Sequence, residues 1–173
     1  GVRNLAITDA AAPYGLYYAP DPSSQIACSI GGNVAENAGG VHCLKYGLTV
    51  NNVMRVRGYT IEGEPVEFGS EALDAPGFDL AALVTGSEGM LAVTTEVTVK
   101  LVPKPERARV IMASFDDVEK AGDAVAAIIA AGIIPAVGTA SRTLYGYGSK
   151  KKRTADPDAH VAIELLPHVR PHA

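Results

Sequence analysis

Residues 28–47 read C-S-I-G-G-N-V-A-E-N-A-G-G-V-H-C-L-K-Y-G. Two Gly-Gly pairs, Gly31-Gly32 and Gly39-Gly40, bracket a short N-V-A-E-N-A turn whose side chains carry little bulk. A loop of this kind contributes little to a core and much to contact with its own main chain. Glycine lacks the Cβ that blocks approach and tolerates positive φ, so such a loop offers several backbone N–H groups to a close ligand. A flat or phosphorylated cofactor is the natural candidate.

A second segment repeats the theme. Gly86-Ser87-Glu88-Gly89-Met90-Leu91-Ala92 begins as a glycine turn and runs into a β-branched stretch from Val93 to Val102, the pattern of a loop feeding a strand. Alone, either segment reads as a tight structural turn. Together, with Pro20-Asp21-Pro22-Ser23-Ser24 leading into the first, they point to a cofactor site.

The run from Pro20 to Gly47, followed by G-S-E-G-M-L-A-V-T-T-E from Gly86, resembles the FAD-binding domain of the vanillyl-alcohol oxidase type, also called PCMH-type. Within that family it looks most like the glycolate oxidase flavin subunits, with the D-lactate and D-2-hydroxyglutarate dehydrogenases beside them. The resemblance extends from Gly1 to about Ala136. It implies an α+β fold: the second FAD subdomain over 1–103 and the first strand-helix unit of a substrate or cap domain over 104–136. Beyond the resemblance, residues 137–173, punctuated by Gly, Ser, Lys and Pro, read as an atypical, mobile tail. The resemblance also implies FAD as cofactor and a small 2-hydroxy acid as substrate, oxidised by hydride transfer from its Cα to flavin N5. The electron acceptor would be a partner subunit or a quinone, and the location cytoplasmic.

Matched position by position, the resemblance puts cofactor contacts at Pro22, Ser23, Ser24, Cys28, Ser29, Gly31, Gly32, Glu36, Asn37, Ala38, Gly39, Glu88, Gly89, Leu91, Ala92, Val93 and Thr94. It puts catalytic and metal-binding groups in later parts of the cap, so the chain reads as an internal fragment, inactive by itself, with no catalytic residue and no metal ligand named. Glu36 and Glu88 sit in the loops, where turn or cap roles explain them equally well. The alternative reading is a non-catalytic α/β interaction module with structural glycine loops. A nicotinamide-binding domain is disfavoured, since no G-x-G-x-x-G joins a strand to a helix.

Composition agrees with a globular domain: 47% of the 173 residues are hydrophobic, and no apolar run approaches the ~20 residues of a membrane span. No basic region leads into an apolar one at the N-terminus, and a net charge of −4 gives no reason to expect nucleic acid. Cys28 and Cys43 read as reduced thiols, because a disulfide would staple the loop that receives the cofactor.

Local signals predict a helix from Asn4 to Tyr14 stopped by Gly15, a short strand at Leu16–Tyr18, and a hairpin with strands at 50–61 and 65–68 around Glu62-Gly63-Glu64. One or two helical turns follow at 78–84. A Pro-rich connector at 104–109 leads to a strand at 110–113 and then to a helix capped by Ser114, ending near Gly132. Tyr14, Tyr17 and Tyr18 read as packing residues, Arg55, Arg57 and Lys45 as solvated ones, and Gly69 as a turn glycine remote from both loops. The Lys150–Arg153 run reads as part of the solvated tail, and Pro167 and Pro171 keep His160, His168 and His172 off one helical face.

Overall fold

The computed structural model describes residues 1–72, 77–141 and 159–165. The chain divides at its proline-rich connector into two units, Gly1–Lys104 and Pro105–Ala173.

In the first unit, helix α1 (Asn4–Ala11) runs into a 3-10 turn at Ala12–Tyr14 and stops at Gly15, whose φ of +69° is the left-handed cap that the sequence called for. Strand β1 (Leu16–Tyr17) follows. The glycine-rich segment is then not all loop. Ile30–Glu36 forms helix α2 and Cys43–Tyr46 a single turn, α3. The sequence reading missed α2 because its two glycines each cost about 1 kcal/mol of helix propensity. Its ends and its buried face offset that cost. The Ser29 hydroxyl accepts the Gly32 N–H at 3.1 Å, Asn37 closes the helix in the left-handed region (φ +50°), and Val34 is fully buried.

A 3-10 turn at Thr49–Asn52 replaces the first residues of the expected strand. Strands β2 (Val53–Tyr59) and β3 (Pro65–Gly69) form the hairpin, with Gly63 in its turn at φ +80°. Helix α4 (Leu80–Val84) is capped by Asp79, whose carboxylate accepts the Ala82 N–H at 2.9 Å. Strand β4 (Val93–Val99) completes an antiparallel sheet of order β3-β2-β4. Strand β5 (Val102–Pro103) returns to pair with β1.

Val34 of α2, Val56 of β2 and Val84 of α4 make the core, with Val53, Phe68 and Val97 packed around them. Each buried valine contributes about 1.5–3 kcal/mol, so α2 is held by its middle while its first turn stays accessible. Residues flanking Val56 point to the opposite face. There Arg57 bridges Glu67 and Glu96, and Arg55 reaches Glu67 and Glu71. This ion-pair ladder replaces the solvated arginines that the sequence suggested.

Tyr18 is 1% exposed, and burial pushes its phenol up from 10.0 to about 12, with a smaller opposing contribution from Thr49. Below pH 10 the phenol is protonated whether the chain is folded or unfolded, and its contribution is complete. Between pH 10 and 12 the unfolded chain gives up a proton that the folded chain keeps, so stability falls as pH rises, by at most about 2–3 kcal/mol. Tyr18→Phe is expected to flatten this alkaline limb. Urea midpoints measured across the range check it, and an unchanged pH slope would refute it.

The second unit contains β6 (Arg109–Phe115), α5 (Val118–Ala130), β7 (Val137–Ser141) and β8 (Ala159–Leu165), in an antiparallel sheet of order β6-β8-β7. Asp117, not Ser114, caps α5, accepting the Glu119 N–H at 2.9 Å. Asp116 pairs with Lys120 one turn on. Ala121 is fully buried beneath Phe115, Val125 and Ile128. Where the sequence suggested a mobile tail, Val137–Ser141 and Ala159–Leu165 are strands. The alternation from Ala159 to Leu165 is too short to announce a core, yet β8 gains partners on both edges. The Lys150–Arg153 run, His168 and His172 lie outside the described residues.

Candidate cofactor site

The two glycine segments meet through main-chain hydrogen bonds. The Gly86 N–H donates to the Val34 carbonyl at 2.7 Å, and the Glu88 N–H to the Ala35 carbonyl at 2.9 Å. The second loop is thereby seated on C-terminal carbonyls of α2, where the Val34 carbonyl also accepts the Asn37 N–H at 3.4 Å and a helix end leaves acceptor capacity to spare. Glu88 holds φ at +55° to make this contact, a conformation that is uncommon outside glycine and that clusters at functional sites.

Beside the start of α2 lies a groove of about 560 Å³, within the usual range for small-molecule sites. Ser29, Gly31 and Gly32 lie on one wall, Thr94, Glu96 and Val97 of β4 on another, and Val2 and Ile7 are also in the lining. A Cβ built on Gly31 would meet no atom within 4 Å, and one on Gly32 would meet only the Ser29 hydroxyl at 3.3 Å. Protein packing therefore does not require glycine at residue 31. The space it leaves opens on the groove, which is the fit expected where a cofactor approaches the backbone.

Of the residues matched from the sequence, Ser29, Gly31, Gly32 and Thr94 line this groove. Pro22, Ser23, Ser24 and Cys28 lie in the turn before it, where the Ser24 carbonyl accepts N–H bonds from Ala27 and Cys28 at 2.8 Å each. Asn37, Ala38 and Gly39 follow α2 and are half-buried. The Asn37 side chain accepts the Val50 N–H at 3.0 Å, and the Ala38 carbonyl takes both the main-chain and hydroxyl bonds of Thr49. Glu36, Glu88, Gly89, Leu91 and Val93 are exposed, and Ala92 is buried. Cys28 and Cys43 are free thiols.

Two buried asparagines escaped the sequence reading. Asn4, fully buried, donates to the Pro20 carbonyl at 2.9 Å and accepts from Asn33 Nδ2 at 2.9 Å. This pair ties α1, the Pro-Asp-Pro turn and α2 into one frame. An asparagine inside a helical pattern was the available signal, since buried amides persist only when hydrogen-bonded. Val2 and Ile7 were also missed as groove residues, because on sequence they read as ordinary apolar content.

Comparison with known proteins agrees with the geometry. Residues 1–69 match the family described as FAD binding domain. The chain is 75% identical over 135 residues to glycolate oxidase subunit GlcD of Escherichia coli, covering 78% of this chain and 27% of that protein. It is 36% identical over 126 residues to a D-lactate dehydrogenase of Archaeoglobus fulgidus, covering 72% of this chain and 28% of the relative. Thus the chain spans under a third of the curated relatives it matches. In fold it resembles alkyldihydroxyacetonephosphate synthase, with a TM-score of 0.74 at 18% identity over 95% of this chain and 34% of that one. Residues 1–69 thus carry an FAD binding domain of the PCMH type, and the cofactor of that domain is FAD.

Proposed function

We propose that this chain supplies part of the FAD-binding wall of an enzyme that oxidises a small 2-hydroxy acid, glycolate or D-lactate. The observation that carries the reading is the open space over Gly31 beside a groove of about 560 Å³ that Gly32 also lines. Bound there, the flavin supplies the acceptor for a hydride from the substrate α-carbon. The chain's own residues bind and orient. Ser29, Gly31, Gly32 and Thr94, which line the groove, would hold the cofactor. Outside the groove lining, the loop anchored on the C-terminal end of α2, with Glu88, Gly89 and Leu91 to Val93, and the segments Pro22 to Ser24, Cys28 and Glu36 to Gly39 are assigned further cofactor contacts by the family resemblance alone. Glu36 and Glu88 are exposed and receive no acid–base role. Residues from Lys104 onward begin the domain that covers the substrate, and a partner subunit or quinone receives the electrons.

The test is a hybrid E. coli glycolate oxidase subunit in which the 135 matched residues come from this chain. It is expected to purify yellow, with one flavin per protein, and to reduce a dye in the presence of glycolate or D-lactate. A folded but colourless hybrid would defeat the reading. The 173-residue chain alone, supplied with FAD, acid and dye, is expected to show no turnover. Robust turnover by that chain would mean that it carries the chemistry as well as the cofactor wall.

A further inference from the structure

Asp21, in the Pro20-Asp21-Pro22 turn, and His42, beyond Gly39-Gly40, are bonded to each other. His42 Nδ1 lies 2.6 Å from Asp21 Oδ2. An ionised carboxylate only accepts, so Nδ1 carries the proton in this contact. The other oxygen, Oδ1, accepts the His42 main-chain N–H at 3.4 Å. One carboxylate thus holds both the ring and the backbone of a single residue. Gly40 is pressed onto the same aspartate, since a Cβ there would collide with the Asp21 carbonyl group and with Oδ1. The Gly40 N–H meanwhile donates to Cys43 Sγ at 2.9 Å. Tyr46 lies edge-on to the His42 ring, and Tyr17 edge-on to Tyr46. Both members of the pair are about four-fifths buried, at 23% and 19% exposure, where a charged hydrogen bond keeps most of its strength.

We propose that Asp21 and His42 form a positioning clasp for the flavin, holding the Pro22–Ser24 turn against the Gly39–Gly40 segment while neither residue touches the cofactor. The proposal rests on the flavin reading above. Each segment has its own outer anchor, Pro20 through Asn4 and Ala38 through Asn33 and Thr49. The direct link between the two runs through the Asp21 carboxylate and the packing of Gly40. Without it both segments keep their anchors but sample more conformations, and binding must order them at a cost to affinity. The valine core around Val34 lies elsewhere, so the fold persists.

The test uses the hybrid subunit, stripped of flavin and titrated with FAD, with amide exchange followed in the apoprotein. Asp21→Ala and His42→Ala are each expected to weaken FAD binding about tenfold. The double variant should be no weaker than either single one, because both remove one interaction. His42→Asn, whose amide can donate in place of Nδ1, should recover most of the loss. Exchange should quicken across residues 38–48 in the alanine variants, while apoprotein melting shifts little. Unchanged FAD affinity in yellow-parent variants would overturn the clasp alone, as would additive losses or losses matched by whole-domain destabilisation. A parent hybrid that holds no FAD would overturn the flavin reading and the clasp with it, and would be seen before any variant is made.

Discussion

Gly31→Val in the hybrid subunit is expected to give a folded, colourless protein, with FAD affinity lowered about 100-fold, equivalent to about 2.7 kcal/mol. The reasoning separates space from fold. A Cβ on Gly31 meets nothing within 4 Å, so the apoprotein gains no clash, and a non-glycine residue at that helical position removes some unfolded-state freedom. The added branches enter the groove, where a ligand fitted to bare backbone becomes overpacked. Gly31 is a cleaner probe than Gly32, whose new Cβ would press the Ser29 hydroxyl that caps α2. Gly122→Ala in α5 is the control. It too has open space, should stabilise its helix by about 1 kcal/mol, and should remain yellow. Circular dichroism reports the fold and the ratio of flavin to protein absorbance reports binding; a stoichiometric flavin content in Gly31→Val would return the glycine pair to the status of a structural turn.

Gly58→Ala is expected to act in the opposite way, destroying the domain before any question of cofactor arises. Gly58 sits in central strand β2 at a register shift against β4, and a Cβ there would run into the carbonyl of Val93. Neither atom is a flexible side-chain end, so relief requires central strand β2 and edge strand β4 to part. A loss of about 3 kcal/mol, the upper part of the overpacking range, is expected, a large fraction of a small domain's stability. Urea unfolding measures it, and a midpoint close to that of the parent would show that the bulge can relax.

Both glycines look alike on paper, which locates the limit of reading this chain from its sequence. What was legible was local. Gly15 ends α1, Glu62-Gly63-Glu64 turns the hairpin, and the stretch after Gly89 becomes a strand, because each signal acts within a few residues of itself. That the chain carries an FAD binding domain was also legible, through the resemblance of these loops to a known family. The helix inside the first loop was not, since its stability comes from Val34 meeting Val56 and Val84 far along the chain. Gly69 illustrates the same limit. It read as an indifferent turn residue, yet it holds φ at +85° with its α-carbon face against the Met54 carbonyl, so alanine there would be strained. The Asn4–Asn33 pair and the Asp21–His42 pair span 29 and 21 residues, and no periodicity announces partners at such separations.

The bonding of Gly86 and Glu88 to the last carbonyls of α2 has a bearing on engineering. Residues 30–37 and 86–90 are distant in the chain but act as one mechanical part, because the second loop has its footing on the first helix. A graft that exchanges only one of them for the counterpart from a distant oxidoreductase would set a foreign loop on a mismatched helix end. Transplanting the two together, with the β2–β3 hairpin between them left native, keeps donor and acceptor from the same parent. The unit of exchange for altering this loop–helix junction is therefore a pair of discontinuous segments, and libraries that vary them independently would consist mostly of mismatched halves.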